Sequence, residues 1–145
     1  MNNVVGESIG RILKASGAEV ITVSFPSDIS PGIAKAVWGL LQSGVSEPTI
    51  IDIGKAYVIG TKAYEESPEA KIAIDAINTE IYTSVPGAAL EMYTKGRTIS
   101  EDYFLRITQR LGSDFSRLVY ESEAEIEGKK IVQANIPRVF TESQG

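Results

Sequence analysis

Histidine and cysteine are both absent from the 145 residues of this chain. Without cysteine there can be no disulfide, no thiolate nucleophile and no thiolate metal site. Without histidine the chain lacks the usual general base near neutral pH and the commonest metal ligand, which excludes Ser-His-Asp catalysis and His-based zinc sites. Any catalytic group would have to be a carboxylate, a lysine, a tyrosine or the backbone. We expect neither a metal site nor a catalytic set.

Long hydrophobic runs and clusters of basic residues are missing as well. No apolar run approaches the ~20 residues of a membrane span, and the N-terminus lacks the basic start and apolar core of a secretory signal. These absences predict a soluble cytoplasmic protein without a membrane partner. The formal net charge is −5, and the 14 lysines and arginines are scattered. Because non-specific nucleic-acid binding relies on clustered basic residues, we expect no strong binding of nucleic acid by this chain alone.

Residues 1–44 have the pattern of a helix–strand–helix step. Apolar residues recur at helical spacing near the start, which predicts a helix from Val4 to Gly17. The β-branched run from Val20 to Phe25 then predicts a buried strand. A nearly continuous apolar strand is typical of parallel sheets, which helices cover on both faces. A parallel neighbour is reached only through a crossover, so the chain is expected to begin within a unit. The apolar residues of the first predicted helix are Val5, Ile9, Ile12 and Leu13.

Two Ser-Pro pairs mark predicted helix starts. In Ser30-Pro31 and in Ser67-Pro68, serine is a good N-cap and proline suits the first helical position. Gly44 and Gly112 are the residues at which we expect helices to end. A further predicted helix begins at Asp52 as its cap. The remaining predicted helices cover 88–111 and about 124–135.

Two further strands are predicted in the second part of the chain. Residues 114–122 alternate apolar and polar side chains, and Val139-Phe140 is expected to begin a third strand. Ile50 and Ile51 fit either a short strand or a pair of side chains that simply fill space in the core. The sequence therefore predicts a helix-rich α/β fold over 1–145 as a single domain. In it an αβ piece at 1–44 is followed by a mainly helical piece at 45–145.

Few residues are candidates for chemistry. The pair Gly6 and Gly10 lies within a predicted helix and lacks the lysine of a phosphate-binding loop. Asp28 lies in a strand-to-helix turn, where ligands of parallel α/β sheets collect. The alternative is an Asx turn that only holds the loop. The other acids are expected on solvated helix faces, and the aromatics at helical spacing are expected in the core; these are Trp38, Tyr57, Tyr64, Tyr93, Tyr103 and Phe104.

Several segments, in order, resemble class I arginyl-tRNA synthetases. Residues 3–13 and 17–21 resemble the segment that follows the His-x-Gly-His signature of that family. Pro26-Ser27-Asp28 with Gly32 looks like the family's Asp-containing turn. Arg110-Leu111-Gly112 with Phe115, and then Tyr120-Glu121-Ser122, is similar to the family's helix end and following strand. Residues 139–145 resemble its approach to the next strand.

The resemblance implies a partial Rossmann-like parallel sheet with a helical connective insertion. The family's His-x-Gly-His and Lys-Met-Ser-Lys-Ser signatures are both missing from this sequence. The chain would then be an inactive fragment of an enzyme that joins arginine to its tRNA with ATP and Mg. No cofactor is expected in the fragment itself. Gly6, Asp28 and Gly32 are the residues expected to line the former adenylate pocket. The family's usual Phe-Asp order is altered at Asp114-Phe115-Ser116.

Two alternatives remain open. The chain could be a free-standing, non-catalytic helical module for interaction or oligomerisation, or part of another class I synthetase, with cysteine or leucine as substrate. The Arg-Leu-Gly and Glu-Ser segments favour arginine. Either leading interpretation leaves an uncovered sheet edge at Val20–Phe25. Because unpaired edges invite pairing with another copy, we expect a homo-oligomer.

Overall fold

A computed structural model describes residues 2–143 of the chain. The chain divides into two compact units. The first combines residues up to Asp28 with residues from Phe115 onward, and the second is Ile29–Asp114. Across the described residues there are six helices and two short strands, namely α1 (Asn2–Ala15), β1 (Val23–Ser24), α2 (Pro31–Ser43), α3 (Ile50–Glu66), α4 (Pro68–Tyr82), α5 (Ala88–Arg110), β2 (Arg117–Leu118) and α6 (Glu121–Ala134).

The internal division differs from the predicted one. The sequence placed it after residue 44, which is the C-cap of α2 and lies within the second unit. The single-domain assignment stays a prediction. The structure confirms a helix-rich protein with a small parallel sheet, whereas a Rossmann-like sheet stays a prediction.

The second unit is built from the four helices α2 to α5 around one apolar core. Leu40 and Ile74 are its largest fully buried side chains. Trp38, Tyr64 and Tyr93 pack against this core from its border. The predicted burial of Tyr57 and Tyr103 is wrong, because these rings are 48% and 42% exposed. The buried cluster consists of Ile29, Ala34, Val37, Leu40, Ala56, Ile74, Ile77, Ile81, Ala89 and Met92.

Two glycines allow α2 and α3 to pack backbone against backbone. A Cβ atom placed on Gly39 would lie 2.3 Å from the carbonyl oxygen of Ala56. A Cβ placed on Gly60 would lie 2.1 Å from the carbonyl oxygen of Lys35. Both distances are far below van der Waals contact, so any side chain at either position would force the helices apart.

The helix caps follow the sequence with one exception. Ser30 and Ser67 are N-caps, with prolines at the next position, and Gly44 is a left-handed C-cap. The predicted cap at Asp52 is wrong, because the helix begins earlier and Thr49 is its N-cap. Asp52 instead completes a capping box, in which its carboxylate accepts from the Thr49 backbone N–H at 2.9 Å. Ile50 and Ile51 therefore belong to the first turn of α3.

The first unit contains α1, α6 and a two-stranded parallel sheet. Val23 pairs with Arg117 and Ser24 with Leu118. The parallel direction agrees with the prediction, but both strands are shorter than predicted. Outside this pairing, the chain at Val139-Phe140 forms a turn and irregular structure, so the predicted third strand is wrong for these described residues. Helix α6 begins three residues before its predicted start at 124.

Helix α1 turns its apolar stripe to the solvent. The predicted helix is confirmed, and Gly17 follows it with a positive φ of 90°. The buried position of α1 is Gly10, whose Cβ would meet the Val20 side chain at 3.8 Å. No helix within 2–143 combines the length and apolar character that a membrane crossing requires. The stripe is exposed by 45–69% and consists of Val5, Ile9, Ile12 and Leu13.

Candidate functional site

The carboxyl ends of β1 and β2 lie at the same edge of the sheet because the two strands are parallel. The chain continues from β1 into residues 25–28 and from β2 into residues 119–122. In parallel α/β sheets ligands bind outside the carboxyl ends of the strands, so this edge is the candidate functional site. The segment after β2 leads directly into the N-terminus of α6.

Hydrogen bonds join the two segments residue by residue. The Val119 backbone N–H donates to the Ser24 carbonyl at 2.9 Å, and the Glu121 backbone N–H donates to the Pro26 carbonyl at 3.2 Å. The Ser27 hydroxyl donates to the Glu121 carboxylate at 2.5 Å. These contacts extend the strand pairing beyond its assigned ends into the turn.

Asp28 completes this series and is only 6% exposed. One of its carboxylate oxygens accepts from the Ser122 backbone N–H at 2.9 Å. The other accepts from the Ser122 hydroxyl at 2.7 Å. Both bonds span 94 positions of sequence, so they differ from the Asx turn that was the alternative for this residue.

The carboxylate of Asp28 acts as an N-terminal cap for α6. The N-cap residue itself, Tyr120, makes no side-chain capping bond. The first backbone N–H groups of a helix lack partners within it, and a negative charge there interacts favourably with the helix dipole. Asp28 supplies both the acceptor and the charge. We term the set Ser27, Asp28, Glu121 and Ser122 the turn junction.

The two other predicted site residues occupy different surroundings. Gly6 lies in α1, and a Cβ placed there would meet no atom within 4 Å. Gly32 lies in the first turn of α2, and a Cβ placed on it would lie 3.5 Å from both Ser30 Oγ and Tyr57 Cε2. Gly6 and Asp28 belong to the first unit, whereas Gly32 belongs to the second. That the three line one pocket stays a prediction.

The turn junction has few free donors or acceptors for other chemistry. Its two carboxylates each accept from a serine hydroxyl. In the described part of the chain, no group of three or more acidic side chains could hold a metal ion. The arrangement therefore fastens a turn to a helix. In the sequence, Glu121 stood out only within the Tyr120-Glu121-Ser122 segment of the resemblance, and its pairing with Ser27 was missed because it joins distant segments.

Three residues of the second unit have shifted pKa values, two of them at helix starts and the third a tyrosine. Hydrogen bonds from the Thr49 hydroxyl and backbone N–H lower the pKa of Asp52. Its own backbone N–H and the Ser67 hydroxyl lower the pKa of Glu69. The hydrogen bond to Asp75 raises the pKa of Tyr64, because the phenol proton is held by a carboxylate. The first two shifts arise from N-terminal capping.

Comparisons with known proteins add the family context. No family model matches the chain. It is 28% identical to the arginine–tRNA ligase of Thermococcus sibiricus over an alignment of 141 residues, which covers 84% of this chain. The ligase of Pyrococcus abyssi is 28% identical over 140 residues, again with 84% of this chain. The ligase of Flavobacterium psychrophilum is 26% identical over 160 residues, with 94% of this chain.

This chain is similar to arginine–tRNA ligases. The three matches support the family that the ordered sequence segments resemble. The chain spans only 21% of the length of the Thermococcus and Pyrococcus ligases, and 27% of the length of the Flavobacterium ligase. The similarity therefore concerns one region of a much longer arginine–tRNA ligase.

Proposed function

We propose that this chain is a region of an arginine–tRNA ligase. The observation that carries the proposal is that three such ligases match 84–94% of the chain at 26–28% identity. In the parent enzyme the activity would be ATP-dependent joining of arginine to its tRNA, in protein biosynthesis in the cytoplasm. The parent would bind tRNA, arginine, ATP and Mg.

The region is the part of the catalytic domain that runs from the helix after the first signature through a helical insertion. Two features support this assignment. The strands β1 and β2 are parallel. The Pro26–Asp28 turn and the Tyr120–Ser122 segment, which separately resemble the family, are hydrogen-bonded to each other. Within this assignment Gly6, Asp28 and Gly32 are proposed to line the adenylate pocket, with Asp28 positioning α6.

The chain by itself is proposed to be catalytically inactive. Adenylate formation needs preorganised groups that stabilise the developing charge and the leaving group. The sequence contains no histidine and neither family signature. The test is ATP–pyrophosphate exchange with arginine, with the full-length Pyrococcus abyssi ligase as positive control. We expect exchange at background for the purified chain, and exchange above background would contradict its inactivity.

The family assignment has a separate test. Reading the source DNA on both sides of this coding segment should reveal an in-frame His-x-Gly-His signature upstream and a Lys-Met-Ser-Lys-Ser loop downstream. A stop codon and a ribosome site immediately upstream would contradict the proposal. That result would favour the alternative below.

The alternative is a free-standing, non-catalytic helical module for interaction or oligomerisation. The observation that favours it is that Ile29–Asp114 forms a compact unit of four helices with its own buried core, three of them with side-chain N-caps. Such a module would be expressed without the signatures and would not exchange pyrophosphate. The DNA on both sides therefore separates the two functions, whereas the exchange assay does not.

A further inference from the structure

The second unit brings two lysines from different helices to one tyrosine ring. The Lys35 ammonium on α2 lies 4.5 Å from the centroid of the Tyr64 ring on α3. The Lys71 ammonium on α4 lies 5.4 Å from the same centroid. Cations are attracted to an aromatic face at such distances. We term Lys35, Tyr64 and Lys71 the lysine–tyrosine cluster.

The two ammonium groups of this cluster lack an acidic partner. Among the described residues, no carboxylate oxygen lies within 4.0 Å of either one. The two ammonium groups lie 4.5 Å and 5.4 Å from the same centroid, so they are at most about 10 Å apart. That separation is roughly one Debye length at 0.1 M salt, so the two charges act together. Six of the other lysines and arginines are paired with carboxylates, namely Arg11, Lys62, Lys95, Arg97, Lys129 and Lys130.

An acidic side chain, Asp75, contacts the polar end of the tyrosine ring. The Tyr64 hydroxyl donates to an Asp75 carboxylate oxygen at 3.1 Å, so Asp75 holds the polar end of the ring. The aromatic face holds the lysines. The tyrosine thus fixes two positive charges from two helices without neutralising them by an ion pair.

We propose that the lysine–tyrosine cluster binds a phosphate group. Lysine is an established phosphate-binding residue that acts as a point charge, and two such charges within about 10 Å of each other can both attract one dianionic group. The site lies within the second unit and does not depend on the ligase assignment. The phosphate could belong to a free anion, a nucleotide or an RNA backbone, which share this chemistry.

The test is titration of the full chain with inorganic phosphate, ATP and a short RNA stem-loop, followed by amide chemical shifts. We expect saturable shifts centred on Tyr64 and Lys71. In the double variant Lys35→Gln, Lys71→Gln the affinity should fall by at least about tenfold, because two charge-assisted contacts are lost. The control is Lys55→Gln with Lys62→Gln, which changes charge equally on α3 and should retain binding.

Further variants keep the test decisive. If the double variant fails to fold by circular dichroism, each single variant should still weaken binding by about threefold, which is roughly half of the tenfold loss on a logarithmic scale. Tyr64→Phe, which keeps the ring, should bind like the original chain, whereas Tyr64→Leu should bind more weakly. Absence of saturable shifts with every probe, or equal losses in the control, would overturn the proposal. RNA binding that is tighter than phosphate binding and sensitive to both lysines would identify RNA as the source.

Discussion

Both carboxylate oxygens of Asp28 are hydrogen-bonded to the same residue, Ser122. The backbone N–H and the hydroxyl of Ser122 donate to separate oxygens at 2.9 Å and 2.7 Å. The contact joins the turn after β1 to the first turn of α6, and Asp28 is buried, with only 6% of its surface exposed. Asp28 is therefore a structural anchor for a helix that has no buried residue of its own.

Replacing Asp28 should loosen α6. In Asp28→Ala two donors lose their acceptor, and leaving partly buried donors unpaired costs about 1–3 kcal/mol. We expect faster hydrogen exchange in α6 and a lower denaturation midpoint. Asp28→Asn retains one acceptor oxygen and should lose less, and Ser122→Ala should also lose less than Asp28→Ala. Unchanged exchange in α6 together with lost nucleotide binding would show that Asp28 serves a ligand instead.

Local signals predicted the helices of the second unit well. Ser30-Pro31, Ser67-Pro68 and Gly44 occupy the capping positions that their chemistry favours. Asp52 was misassigned because Thr49 and Asp52 satisfy each other reciprocally, and either could be read as the cap. Capping is decided within a few residues, which makes it accessible to sequence analysis.

Long-range relationships were less accessible. Whether a residue such as Val5 or Ile9 on an apolar helix face is buried depends on which other elements pack there, and both are exposed. The Asp28–Ser122 pair joins residues 94 positions apart, and no local rule connects them. The resemblance had singled out both segments, yet only the folded chain shows that they are bonded to each other.

The close contact of α2 with α3 should not tolerate a side chain at its two glycines. Gly39→Ala and Gly60→Ala place a methyl group 2.3 Å and 2.1 Å from a backbone carbonyl oxygen, so each should cost about 1–3 kcal/mol of unfolding free energy. Gly54→Ala is the matched control in α3, because its Cβ would meet nothing within 4 Å. It should gain roughly 0.5–1 kcal/mol. Urea denaturation distinguishes them, and equal effects at all three positions would contradict the packing argument.

Acid should weaken the N-terminal caps of α3 and α4. The pKa values of Asp52 and Glu69 are lowered in the folded chain, so each charged form is favoured by folding. This contribution is present above the unfolded pKa, roughly pH 4, and is lost as the pH falls through the lower folded value. Asp52→Asn and Glu69→Gln should flatten the pH dependence of the denaturation midpoint between roughly pH 5 and pH 2. Identical slopes for both variants and the original chain would refute this.

The edge of β1 should promote self-association. Val23 in β1 is 52% exposed, and the flanking residues Ile21 and Phe25 are 72% and 59% exposed. Within the described residues β1 pairs with β2 alone, so its other edge retains backbone groups that a second copy could pair with. We expect light scattering at high concentration to give a dimer or larger species. A charge on an edge strand opposes such pairing, so Val23→Lys should shift the mass toward the monomer. Val58→Lys, at a helix position that is 66% exposed, should leave the mass unchanged. A monomeric mass for the original chain would contradict edge pairing.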